Sequence, residues 1–66
     1  MIRKPLNVER TAWFLIRRFG DDSAVVAFRR AQQCAARNDE ASSREWHLVT
    51  RRVVELHFAQ PQGPAH

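Results

Sequence analysis

Apolar residues recur at helical spacing in three segments of the chain, and no segment alternates apolar and polar residues as a β-strand does. The first segment places five apolar residues on one helical face: Val8, Ala12, Leu15, Ile16 and Phe19. Asn7 can cap this helix at its N-terminus, and Gly20 follows its last periodic residue, where glycine takes a positive φ without steric cost. The pattern therefore predicts a first helix that begins at Val8 and ends at Gly20.

The second segment predicts a helix from about Ser23 to Arg37. Asp21 and Asp22 precede it, so that one can cap the helix and both place negative charge near the N-terminal end of its dipole. The apolar stripe is mostly alanine, which lets a neighbouring helix approach closely, with one large side chain. The stripe consists of Ala24, Ala27, Phe28, Ala31, Cys34 and Ala35.

Asn38 and Asp39 interrupt the pattern before a third helix. Either Asp39 or Ser42 can cap this helix, and Ser42 with Glu45 fits the S-x-x-E capping box. The helix must end before Pro61, because proline removes a backbone donor and clashes with the preceding turn. Its predicted core face carries Trp46, Val49, Val53 and Leu56, with His57 at the edge.

These segments predict an all-α fold, a compact three-helix bundle in one domain over residues 1–59. We expect its apolar centre to be built around Trp46, Phe28 and Ile16. Residues 60–66 have almost nothing to bury, so we expect a flexible, disordered tail. A chain of 66 residues buries only about 60% of the surface that its unfolded form exposes, so docking with another chain would add stability.

The arrangement of these segments resembles a family of short helical proteins of unknown function that is common in alphaproteobacteria. The pattern A…RxG…A…GD…W…V matches residues 8–57, where Phe19 replaces the usual histidine and Asn38 the usual glycine. The resemblance implies a bacterial protein with a helical fold, and it implies no activity or ligand. The matching positions are Ala12, Arg18, Gly20, Ala31, Asp39, Trp46 and Val49.

The net charge is +4, and ten of the eleven basic residues are arginine. Arginine with abundant alanine is also what a GC-rich codon supply produces, so the basic balance is weak support for a nucleic-acid partner. Cys34 is the single cysteine and forms no internal disulfide, and a reducing compartment is the default. The run from Trp13 to Ile16 is too short to cross a bilayer, and no signal peptide is evident. We therefore expect a cytoplasmic protein without a membrane partner.

No residue pattern indicates catalysis or metal binding. Cys34, His47, His57 and His66 lack the spacing of metal ligands, and the carboxylates near helix starts are explained by capping. The two glycines form no phosphate-binding loop. We expect a protein that is not an enzyme, without catalytic residues, metal, cofactor or small-molecule substrate.

The leading functional hypothesis is binding to another protein or self-association, since exposed aromatic residues ringed by arginine are typical of interface centres. Phe14 is predicted to lie opposite the core face of the first helix, and the third helix adds two off-stripe apolar residues. The predicted binding residues are Phe14, Arg10, Arg17, Arg18, Val54 and Phe58.

The alternative is a small trihelical nucleic-acid-binding protein. Its contacts would lie on the third helix, at Arg44, His47, Arg51 and Arg52. The outward faces of three helices point in different directions, so the arginines need not form one patch that follows a phosphate backbone. A solvated basic face is the plainer interpretation of these residues.

Overall fold

A computed structural model describes residues 6–59, and from residue 8 onwards this range contains only helices and the turns that join them. Helix α1 spans Val8–Phe19, α2 spans Ser23–Ala36 and α3 spans Glu40–Ala59. A single 3-10 turn, Gly20–Asp22, joins α1 to α2 with no non-helical residue between them. The backbone is therefore helical in two uninterrupted stretches, 8–36 and 40–59, and the first bends at Gly20. The predicted all-α class is confirmed, and the predicted tail, 60–66, lies outside the described residues.

The start and end of α1 follow the prediction. The Oδ1 atom of Asn7 accepts a hydrogen bond from the backbone N–H of Arg10 at 3.0 Å. At the other end the N–H of Gly20 donates to the carbonyl of Ile16 and closes the helix. Gly20 has φ 58° and ψ −121°, a combination that side chains with a Cβ atom avoid. This glycine allows the chain to turn directly into α2.

The predicted aspartate cap of α2 is wrong. Asp22 occupies the N-cap position, but its side chain makes no capping hydrogen bond. The hydroxyl of Ser23 instead donates to the carbonyl of Gly20 at 2.7 Å, within the turn itself. Because the 3-10 turn leads straight into α2, Asp22 has helical backbone angles instead of the extended ones of an ordinary N-cap.

The connection between α2 and α3 shows whether Asp39 or Ser42 caps the third helix. Asn38 takes φ 62°, the left-handed conformation that asparagine tolerates better than most residues. The Oδ1 atom of Asp39 accepts a hydrogen bond from the backbone N–H of Ser42 at 3.1 Å. Asp39 is therefore the cap, and Ser42 lies inside the first turn of α3. Helix α2 ends at Ala36, one residue earlier than predicted.

The core is built from small side chains. Helix α3 packs against both other helices, most extensively against α2. The buried face of α2 consists of Ser23, Ala27 and Ala31, and α1 contributes Ala12 and Leu15. The buried apolar residues are Ala12, Leu15, Ala27, Ala31, Val49 and Val53.

The predicted aromatic centre is therefore wrong for Phe28, which is 44% exposed. Its ring lies at the edge of the α2–α3 contact, with its centroid 5.9 Å from that of His47. Trp46 and Ile16 are half-buried and pack against the buried cluster. Phe19 was also expected on the core face, but it is exposed where α1 ends. No helix within residues 6–59 is long and apolar enough to cross a membrane.

Candidate functional site

The outward face of α1 carries an open depression of about 700 Å³ between side chains of this one helix, which we call the α1 groove. Phe14 lies in this groove and is 60% exposed, because Ala12 and Leu15 take the inward face of the helix. The lining includes four of the predicted binding residues and one residue that was not predicted. The groove is lined by Arg10, Trp13, Phe14, Arg17 and Arg18.

Trp13 is the lining residue that sequence reasoning missed. Its indole Nε1–H donates to Oε2 of Glu9 at 2.9 Å, one helical turn earlier. This hydrogen bond orients the ring at the side of the groove, and 37% of the residue is exposed. The four-residue spacing between Glu9 and Trp13 was a usable signal, since such pairs are neighbours on a helix surface.

The Glu9 carboxylate also joins α1 to α3. The guanidinium of Arg52 donates to it twice, from Nε to Oε1 at 2.7 Å and from Nη2 to Oε2 at 3.2 Å. The Arg52 hydrogen bonds first, and the Trp13 indole second, hold the pKa of Glu9 below its ordinary value. The hydrogen bonds to Glu9 likewise raise the pKa of Arg52. Trp13 is thus positioned by a charged contact between two helices.

The three arginines that line the α1 groove, Arg10, Arg17 and Arg18, are not paired with carboxylates in the described part of the chain. The guanidinium carbon of Arg18 lies 5.9 Å from the ring centroid of Phe19, in a cation–π contact that leaves the positive charge in place. The groove therefore combines two aromatic rings with three positive charges.

Val54 and Phe58 lie on a different helix from the α1 groove. Both are on α3, where Val54 is 39% exposed and Phe58 is 86% exposed. Neither is among the residues that line the groove. The structure thus brings together the α1 members of the predicted binding set and places its α3 members elsewhere.

The four residues of the nucleic-acid alternative are divided between two depressions, one where α3 meets the end of α2 and one where α3 meets α1. Arg44 and His47 border one of about 360 Å³, and Arg51 and Arg52 border another of about 280 Å³. Arg51 and Arg52 each lie 3.4 Å from a carboxylate oxygen of Glu55. Because Arg52 also pairs with Glu9, acidic neighbours offset much of the positive charge of this part of α3.

Ser23 and His57 form a polar contact that the sequence did not reveal. Ser23 is fully buried, and its Oγ lies 3.2 Å from Nε2 of the half-buried His57. The single hydroxyl proton of Ser23 goes to the Gly20 carbonyl, so His57 is the donor in the contact between the two side chains. This direction is opposite to that of a serine nucleophile with its histidine base. The pair fastens the C-terminal part of α3 to the turn between α1 and α2.

Metal-binding groups do not cluster in the part of the chain that the structure describes. No three side chains of the His, Cys, Asp or Glu type lie together there in a way that could hold an ion. Cys34 is a free thiol and is half-buried on α2.

Comparison with known proteins gives no match at the level of family models, curated proteins or solved structures. The candidate site therefore rests on the geometry of the α1 groove.

Proposed function

We propose that this protein is a small, non-enzymatic three-helix bundle whose α1 groove binds another protein or a second copy of the chain. The observation that carries the proposal is the exposure of Phe14 among Arg10, Arg17 and Arg18. Aromatic side chains at the centre of a surface and arginine around them are the residue types enriched at protein interfaces.

The small core supports the same proposal. Among the residues that the structure describes, the fully buried side chains are alanine, valine and serine, whereas larger apolar residues such as Phe14 remain at the surface. Complete burial of a phenylalanine is worth about 1.5–3 kcal/mol, which is a large share of the stability that a domain of this size can have. A partner that covers the α1 groove would bind the folded state selectively and stabilise it.

Affinity capture from the source cell, followed by mass spectrometry, tests this function. Phe14→Ala should abolish capture of the partner while circular dichroism shows unchanged helicity. Phe28→Ala is the matched control, because Phe28 is also exposed but lies on α2, beside His47. If Phe14→Ala captures the partner as well as the wild type does, the α1 groove is not the binding surface.

Nucleic-acid binding is the second candidate, favoured by the depression that Arg44 and His47 share. It predicts binding to duplex DNA of random sequence that weakens steeply as salt increases, since each neutralised phosphate releases counterions. We expect Arg51 and Arg52 to contribute little to such binding, because both pair with Glu55. A DNA complex that is lost in Arg44→Gln but kept in Phe14→Ala would favour this candidate instead.

A further inference from the structure

We propose that the occupant of the α1 groove is an acidic segment of a different protein, with one large apolar side chain between its carboxylates. This inference rests on the proposed function, because it requires the groove to bind a protein. It adds the chemical class of the partner, which the exposure of Phe14 alone does not give.

Charge complementarity is the first argument. Three arginines line the groove, and no carboxylate is among the described lining residues. The nearby Glu9 offers no compensation, because its oxygens already accept hydrogen bonds from Trp13 and Arg52. A guanidinium binds a carboxylate through two parallel hydrogen bonds, so Asp and Glu are the protein side chains that fit this surface.

The same charges argue against this chain as its own partner. A second copy docked symmetrically would place Arg10, Arg17 and Arg18 against the same three residues. The terminal segments outside the described residues, 1–5 and 60–66, contain no Asp or Glu and so offer no carboxylate side chain. Symmetric self-association is therefore disfavoured, and we assign the acidic groups to another protein.

The spacing along α1 defines the partner further. Arg10 and Arg18 are separated by eight residues, or about 12 Å along the helix axis. Phe14 lies midway between them and Trp13 stands beside it, so the apolar contact is at the centre and the charges are at both ends. An amphipathic helix with acidic residues about two turns apart and a Phe or Leu between them matches this order.

A single-stranded nucleic acid fits the groove less well. Trp13 and Phe14 are consecutive, so their side chains leave the helix in directions about 100° apart. In the structure the Trp13 indole donates a hydrogen bond to Glu9 instead of stacking on Phe14. Proteins that bind single strands use successive stacking rings along a basic path of about four nucleotides or more.

Nuclear magnetic resonance of the isotope-labelled full chain tests the proposal. The probe is a synthetic helical peptide of about 15 residues, rich in glutamate on one face, with a central phenylalanine. The peptide should shift the backbone amides of residues 10–18 and the indole N–H signal of Trp13. The indole of Trp46, which packs against the core, is the internal control and should not move.

Two matched peptides and three protein variants test the specificity of binding. Replacing every glutamate with glutamine, or the phenylalanine with alanine, should weaken binding by about tenfold or more. Phe14→Ala and Arg17→Gln should have similar effects, whereas Phe58→Ala should have none. A thymidine oligonucleotide of matching length should leave the α1 signals unchanged.

The proposal is overturned if the glutamine peptide binds as well as the acidic one, or if the oligonucleotide is the tighter ligand at the α1 groove. Sedimentation of the protein alone as a dimer that Phe14→Ala dissociates would also overturn it, in favour of a second copy. In that case the groove would still be a protein-binding surface. Failure of the acidic peptide is therefore distinguishable from failure of the proposed function, which the capture experiment measures independently.

Discussion

Glu9 on α1 accepts two hydrogen bonds from Arg52 on α3, at 2.7 and 3.2 Å, across 43 positions of sequence. The same carboxylate holds the indole of Trp13 at the side of the α1 groove. A contact that fastens two helices thus also determines the shape of the candidate binding surface. Loss of Glu9 is expected to affect both.

This contact predicts a pH-dependent contribution to stability. Because the pKa of Glu9 is lower in the folded protein than its ordinary value of 4.5, the unfolded chain takes up a proton first as the pH falls. The stabilisation is therefore complete well above pH 4.5 and is lost as the pH falls through the lower, folded pKa. The effect should be small, since the pair is exposed to solvent.

Thermal unfolding of the wild type and Glu9→Gln checks this sign. The wild type should have the higher melting temperature at neutral pH, and the difference should shrink as the pH falls below 4.5. Both proteins contain the other carboxylates, so the difference between their melting temperatures at each pH removes the contribution of those groups. A difference that is constant across this range would show that Glu9 does not act through its charge.

Two adjacent valines on α3 test where the core lies. Val53 is fully buried, whereas Val54 is 39% exposed. Val53→Ala should lower the free energy of unfolding by about 2–3 kcal/mol through lost burial and the cavity it leaves, and Val54→Ala by less than about 1 kcal/mol. Both substitutions change helix propensity equally, so denaturant unfolding of the pair isolates burial. Equal losses would mean that α3 is rotated from the orientation described.

Gly20 tests the turn between α1 and α2. A Cβ atom at this position would have no atom within 4 Å, so Gly20→Ala causes no clash. Its cost comes from φ 58° with ψ −121°, and we expect a loss of about 1–3 kcal/mol in denaturant unfolding. Asn38→Gly is the control, because glycine takes φ 62° freely and the change should stay within about 0.5 kcal/mol. If Gly20→Ala left the free energy of unfolding unchanged, Gly20 could not have this backbone conformation.

The buried contact between Ser23 and His57 should be energetically coupled. Ser23→Ala removes the partner of both the Gly20 carbonyl and the His57 N–H, so we expect it to cost about 1–3 kcal/mol. A double-mutant cycle with His57→Ala should give a coupling of about 0.5–1.5 kcal/mol, measured by denaturant unfolding. Strictly additive effects would mean that the two side chains do not interact in solution.

Local signals in the sequence predicted most of the backbone. The Asn7 cap, the end of α1 at Gly20 and the core positions Val49 and Val53 depend on neighbouring residues and on periodicity, and the structure contains each of them. Periodicity failed for Phe28, because the buried side of α2 is the one that carries Ser23, Ala27 and Ala31, and Phe28 lies at the edge of that side. The rotation of a helix about its own axis against its neighbours is a tertiary property that no single segment determines.

The candidate site was predictable to the extent that it lies on one helix. Arg10, Phe14, Arg17 and Arg18 share the outward face of α1, so helical spacing alone grouped them. The position of Trp13 depends on Glu9 and on Arg52, which is far away in the sequence. The contact between Ser23 and His57 likewise spans 34 positions and required the folded chain.

The most direct test of the central claim is photo-crosslinking in the source cell with p-benzoylphenylalanine in place of Phe14, and in a second strain in place of Phe28. Both positions are exposed, but only Phe14 lies in the α1 groove. We expect a discrete adduct with a protein partner from position 14 and none from position 28. The account would be contradicted if position 14 gave no protein adduct, or if both positions gave the same one.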